Sequence, residues 1–177
     1  MKLIVGLWNP WEKYKNTRHN IWFYFIDLLN ERNKFWGWKF DKKYKSEMVN
    51  FESNWKKIIL CKPQTYMNLS WEAVAPLVRF YKISPKNILV MHDEIDFVTW
   101  RIALKFWWSS AWHNGLKSII EKLGTKDFWR LRIGVDRPAI NSQVVDWVLS
   151  SFKMEERKNL IEKEEEIFKL IGDFLGR

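Results

Sequence analysis

Imidazole is the side chain that titrates near neutral pH, and this chain has three, His19, His92 and His113. His19 stands where an amphipathic stretch begins, and Asp93 follows the apolar run Ile88 to Met91. An imidazole beside a carboxylate can take a proton from water, because the carboxylate fixes the tautomer and stabilises the imidazolium that forms. Asn9, Asn68 and Asn114 lie in polar segments that could join the same crevice. Each could donate to a substrate, and each could equally be an ordinary turn or cap residue. The residues alone point to a hydrolase-like cleft and leave open a structural histidine with a capping carboxylate.

Other chemistries are poorly served. Cys61 is the only cysteine, so no intrachain disulfide forms, and histidines this far apart in sequence do not spell a zinc site. Metal-free chemistry without a cofactor, in a reduced compartment, is the expectation. No window approaches the ~20 apolar residues of a membrane span, and the run Leu3 to Leu7 ends at Asn9 and Pro10. A soluble, cytoplasmic protein that does not associate with membranes is expected. Thirty Lys and Arg against 21 Asp and Glu give a net charge of +9, which favours a polyanionic partner, nucleic acid first.

Positioning these residues requires strands that feed polar loops. At 177 residues with 47% hydrophobic content, the chain suits a single domain, residues 1–177. Lys2 to Leu7 reads as a buried strand, followed by a helix from near Thr17 with Ile21, Phe25, Leu28 and Leu29 on one face. Lys45 to Glu52 and Lys56 to Cys61 read as a hairpin turning at Ser53-Asn54-Trp55. The loop Lys62 to Leu69 leads to a helix over Ser70 to Tyr81 that contains Pro76.

Strands follow at Ile88 to Met91 and Ile102 to Phe106, then a helix from Asn114 to Leu123 capped by Gly124, then a strand from Arg130 to Val135. A short helical segment over Gln143 to Leu149 precedes a long helix ending near Phe174. Leu160, Ile167, Leu170, Ile171 and Phe174 form its apolar face, and Glu162 to Glu166 read as solvated. This alternation implies an α/β fold. Its polar loops after Leu7, Met91 and Phe106 should converge at the carboxyl ends of strands.

The segments VGLWNPW (Val5 to Trp11), YKNTRHN (Tyr14 to Asn20) and PQTYMNLS (Pro63 to Ser70) together resemble bacterial-type peptidyl-tRNA hydrolases. VMHDEID (Val90 to Asp96), WWSSAWHNGLK (Trp107 to Lys117) and FWRLRIG (Phe128 to Gly134) extend the resemblance over nearly the whole chain, in order. It implies a twisted mixed β-sheet flanked by helices, hydrolysis of the ester between peptide and tRNA, and a monomer. His19 would be the base that activates water, Asp93 its orienting partner, and Asn9 a reader of the blocked peptide amide. Asn68 and Asn114 would bind near the ester, Tyr14 and Tyr66 would contact the tRNA side, and Met67 would pack beneath the site. Lys105 and Arg132 would hold a phosphate.

Two other readings share the basic charge. An RNA-binding module without turnover would need the cationic surface but not His19 and Asp93 together. A nucleotide-binding flavodoxin-like domain would need a glycine-rich phosphate loop, which is absent.

The chain departs from the family in one consistent way. It has 13 Trp and seven Gly, where Gly alone ordinarily supplies roughly 7% of a globular chain. Where the family reads G-L-G-N-P-G, Trp8 and Trp11 stand in place of glycine, and Trp22, Trp71, Trp100, Trp107, Trp108 and Trp112 repeat the exchange. Trp36, Trp55 and Trp129 extend the set, whereas Trp38 and Trp147 read as ordinary aromatics. Substitutions all of one kind point to one process, a gene that spells glycine with UGA but is translated with UGA as tryptophan; the alternative is a chain that truly carries these Trp residues, natural or designed.

Overall fold

Leu3 and Val5 point to one side of the first strand and Ile4 to the other, yet all are fully buried, so this strand must be covered on both faces. In the computed structural model it is β1 (Lys2–Gly6), hydrogen-bonded in parallel to β4 (Lys56–Pro63) on one side and β5 (Ile88–Glu94) on the other. The structure describes residues 1–10, 12–35, 37–53, 55–107, 109–110 and 112–177, with the backbone alone for Arg157, Leu160 and Ile161. The expectations at Trp11, Trp36, Asn54 and Trp108, and for the Leu160 side chain, lie outside the described residues.

The other strands are β2 (Lys39–Asp41), β3 (Ser46–Ser53), β6 (Ile102–Phe106) and β7 (Trp129–Gly134). They complete a mixed seven-stranded sheet in the order β2-β3-β4-β1-β5-β7-β6. The β2–β3, β3–β4 and β6–β7 pairs are antiparallel, and β5–β7 is parallel.

The helices are α1 (Ile21–Arg32), α2 (Trp71–Phe80), α3 (Asn114–Leu123), α4 (Val144–Val148), α5 (Met154–Glu162) and α6 (Glu164–Gly176). On one face of the sheet, Phe25 and Ile26 of α1 and Ile167, Ile171 and Phe174 of α6 pack with Ile4, Leu60, Met91 and Leu131. On the other, Val74 and Leu77 of α2 and Leu116 and Ile119 of α3 pack with Leu3, Val5, Ile59 and Val90. Each side chain buried in these layers is stabilised by about 1.5 to 3 kcal/mol relative to exposure.

The chain departs from the sequence expectation in four places. β5 continues to Glu94, so His92 and Asp93 lie within the strand rather than in a following loop. β2 is short and largely exposed, without the alternation that marks a strand. The long C-terminal helix is two: Glu156 of α5 is drawn to Arg18, while α6 docks on the sheet, and the chain bends at Lys163. The Glu162 to Glu166 run keeps the solvated face expected of it, and on that face Tyr24 Oη donates to Glu164 at 2.9 Å and Arg32 meets the exposed Glu165 at 2.5 Å.

The fourth departure is the loop after Phe106. Because β6 runs antiparallel, Phe106 lies beside Trp129 at the amino end of β7, away from the carboxyl ends of β1 and β5. The chain returns from there to start α3, which brings His113 and Asn114 to the crevice by a longer route.

Candidate active site

The carboxyl end of β5, residues that follow β1 and β4, and the start of α3 enclose a cleft of about 290 Å³. His19 reaches it from the short 3-10 turn Arg18–Asn20 that precedes α1. Its Nδ1 lies 2.7 Å from Asp93 Oδ1. An ionised carboxylate can only accept, so Nδ1 carries the hydrogen and Nε2 is the nitrogen left with a lone pair.

His113 completes this arrangement. Its Nε2 lies 3.1 Å from the same Asp93 oxygen, and its Nδ1 accepts the Leu116 N–H at 3.3 Å, capping α3. Capping with Nδ1 places the hydrogen on Nε2, so Asp93 receives two imidazole donors. Burial alone would raise the Asp93 carboxyl, but His19 and His113 more than reverse this and hold it well below the usual carboxylate range. His92 differs. Burial, reinforced by nearby His113, pushes its imidazole well below its ordinary value, and its Nδ1 donates to the Asp93 carbonyl at 2.7 Å. It is therefore a neutral structural group.

Asn9 is fixed from three directions. Asn20 Oδ1 accepts the Asn9 N–H at 2.9 Å, and Asn20 Nδ2 donates to the Asn9 carbonyl at 2.9 Å. Asn9 Oδ1 accepts the Met67 N–H at 3.0 Å, which leaves the Asn9 amide nitrogen as its donor for a ligand. Met67 is buried in the cleft lining, while Tyr66, Asn68 and Asn114 are exposed at its edge. Val144, Val145, Val148 and Leu149, from α4 and just after it, supply an apolar wall.

The residues expected on the tRNA side are dispersed. Tyr14 is half-buried outside the cleft lining, with Lys13 Nζ 4.8 Å from its ring centroid. Lys105 is partly buried on the edge strand β6, opposite Arg130 of β7. Arg132 is buried: its guanidinium lies over the Phe97 ring at 4.4 Å, with Nη1 3.6 Å from Glu94. Arg132 thus faces the buried carboxylate of Glu94 and is not itself part of the cleft lining.

A family model described as peptidyl-tRNA hydrolase matches residues 3–176. The chain belongs to the peptidyl-tRNA hydrolase family. It is 43% identical over 177 residues to the peptidyl-tRNA hydrolase of Exiguobacterium sibiricum, covering 99% of this chain and 94% of that protein. Against the peptidyl-tRNA hydrolase of Neisseria meningitidis, identity is 40% over 180 residues, covering 99% and 91%. The crystal structure of peptidyl-tRNA hydrolase from Acinetobacter baumannii superposes with a TM-score of 0.92 at 33% identity, covering 99% of this chain and 89% of that one.

In this peptidyl-tRNA hydrolase chain, the side chains of the cleft and of Cys61 bear on two further chemistries. His19, Asp93 and His113 present ligand atoms within 4.8 Å of one another, a spacing that could admit a cation. With Asp93 ionised, the histidine nitrogens facing it carry hydrogens that a cation would have to displace. To ligate through Nε2, His113 would have to move its proton to Nδ1 and give up the cap on α3. Cys61 is buried, and burial pushes its thiol up to about 12, which removes it as a thiolate nucleophile.

Sequence alone missed the roles of Arg18, Asn20 and His113, and also the α4 wall. His113 was visible only as a polar loop residue. Arg18 and Asn20 flank His19 in the same motif, and that adjacency was the available signal.

Proposed function

We propose that this protein hydrolyses the ester joining a peptide to the terminal ribose of tRNA, with His19 as the general base. The observation that carries this reading is the 2.7 Å contact between His19 Nδ1 and Asp93, which commits the imidazole to one tautomer beside a cleft. Nε2 takes a proton from water, the resulting hydroxide attacks the ester carbonyl, and Asp93 stabilises the imidazolium. The imidazolium then returns the proton to the departing ribose oxygen. Asn68 and Asn114 donate to the carbonyl oxygen as it gains charge, and Asn9 reads the blocked amide of the peptide.

Tyr14, Tyr66 and Lys105 hold the tRNA side. The products are free tRNA and free peptide, without a covalent enzyme intermediate, a cofactor or a metal. The test is release of N-blocked amino acid from tRNA by the full chain, with and without EDTA. Turnover unchanged by EDTA supports the reading. Turnover lost in EDTA and restored by a divalent cation overturns the metal-free mechanism, and tRNA binding without turnover assigns the chain to the RNA-binding class instead.

A further inference from the structure

Arg18 precedes the proposed base but points away from the chemistry, and its side chain is almost fully buried. Its Nη1 donates to Ser150 Oγ at 2.7 Å and to the Ser151 carbonyl at 2.9 Å. Its Nη2 meets both carboxylate oxygens of Glu156, at 2.8 and 2.9 Å. The guanidinium also lies over the rings of Trp147 at 4.2 Å and Phe152 at 5.2 Å. The backbone repeats the attachment, since Arg18 N–H donates to the Ser150 carbonyl at 3.1 Å and Thr17 bridges Ser151.

Trp147 lies within α4, Ser150, Ser151 and Phe152 lie just after it, and Glu156 lies in α5. Arg18 thus joins α5 to the end of α4, the element that forms the apolar wall of the cleft. Trp147 continues the connection, because its Nε1 donates to the carbonyls of Val135 and Asp136 just beyond β7. We propose that Arg18 is a positioning residue that sets the α4 wall against His19, so that a peptidyl group resting on the wall presents its ester to the water held by Nε2. The proposal rests on the hydrolase reading above. Arginine suits this task because its planar fork can bond a carboxylate and a backbone carbonyl while stacking on aromatic rings, which lysine cannot reproduce.

The test compares the full chain with Arg18→Lys, Glu156→Gln and the double variant, reading kcat, KM, affinity for uncharged tRNA and melting temperature. Small misplacements at a reacting centre carry large rate penalties, so each single variant is expected to lower kcat by roughly 10- to 100-fold. Affinity for uncharged tRNA stays unchanged, and the double variant is little worse than either single one, because both remove the same link. A kcat within twofold of the parent alongside a lowered melting temperature would assign Arg18 a purely structural role and overturn the proposal. Additive losses would overturn it too.

Ser150→Ala removes one bond of the set, and a smaller kcat loss is expected from it even where the charged variants fail to fold. An unchanged kcat in that variant counts against the proposal. Parental turnover, measured first, separates failure of the hydrolase reading from failure of the Arg18 role.

The backbone carries a second inference independently. Trp55, Trp100 and Trp107 have φ of 61°, 68° and 61°, the left-handed region that a side chain with a Cβ resists. Trp8 and Trp22 bury indole N–H groups that have no hydrogen-bond partner among the described residues. We infer that the native protein carries glycine at these positions, encoded by UGA. UGA codons at Trp8, Trp22, Trp55, Trp100 and Trp107, with peptide masses from the native source that match glycine, are the expected result. UGG codons, or peptide masses that match tryptophan, overturn the inference.

Discussion

Around His19 the side chains suit the backbone that carries them. Asp93 receives two imidazole donors, His113 caps a helix with the nitrogen that it does not turn toward Asp93, and Asn20 clamps both polar atoms of the Asn9 main chain. At Trp55, Trp100 and Trp107 the relation is reversed, since the backbone adopts a conformation that their side chains oppose. The Trp100 loop is tight as well: its N–H donates to the Gly134 carbonyl at 3.0 Å, and a Cβ on Gly134 would lie 2.0 Å from the Val98 carbonyl oxygen. One chain thus holds a site in which residue and geometry agree and turns in which they conflict. Drift would loosen both together, whereas a single misread codon would spare His19, Asp93 and the asparagines and alter only glycines, Trp112 of the cleft lining among them.

The largest expected effect tests the site half of this contrast. His19→Ala should lower the rate by roughly 10²- to 10⁴-fold, the usual contribution of a positioned general base, while tRNA affinity changes little. Rates measured on N-blocked aminoacyl-tRNA check it. A parental rate would mean that the fit around His19 serves the fold alone.

Asp93→Asn should also lower the rate, because the imidazole remains but loses the partner that fixes its tautomer and balances its protonated form. The substitution also has a consequence for acid stability. Burial would raise the Asp93 carboxyl, yet its two histidine neighbours hold it well below the usual range. A folded value below the unfolded one means that Asp93 contributes its full stabilisation above about pH 4, and this is lost as pH falls through the folded value. Urea midpoints of Asp93→Asn should therefore decline less steeply than those of the parent as the pH is lowered below about 4. Parallel acid limbs would show that the two histidines do not stabilise the ionised carboxylate.

The same residues show which features could be read in advance. β6 and α3 match their expected bounds at both ends, because α3 starts at Asn114 and is stopped by Gly124, which takes a φ of 69°. β5 was expected to end at Met91 because three polar residues follow it, and polarity ordinarily marks a loop. Asp93 remains in the strand because His19 and His113 satisfy its carboxylate, and both come from elsewhere in the chain. The α4 wall and the Arg18 contacts likewise depend on tertiary approach, which no local pattern encodes. Residue types and placement offered His19, Asp93 and the asparagines as candidates and the resemblance gave them roles, while the geometry added the side chains that hold them.

Trp55 sharpens the other half of the contrast because it is fully exposed, so replacing it forfeits no buried surface. Trp55→Gly should raise stability by about 1 kcal/mol through relief of the left-handed backbone. Trp55→Ala should gain much less, since alanine keeps the Cβ that causes the strain. Denaturant midpoints decide between them. Equal gains from both would assign the effect to loss of the indole and remove Trp55 from the set of misread glycines.

The smallest expected effect separates two basic residues that the sequence treated alike. Lys105 lies partly buried on the edge strand β6, where the sheet ends and a polyanion can approach. Arg132 is buried with its guanidinium 3.6 Å from Glu94 and stacked over Phe97. Lys105→Ala should weaken tRNA binding and make its salt dependence shallower by up to about one unit of slope, because one fewer counterion is released. The rate at saturating substrate should hold. Arg132→Ala leaves the Glu94 carboxylate buried without its cation, so the expected loss is in stability, with the salt slope preserved. A shallower slope for Arg132→Ala at parental stability would place Arg132 on the tRNA path after all and make Glu94 the group that releases it when the phosphate arrives.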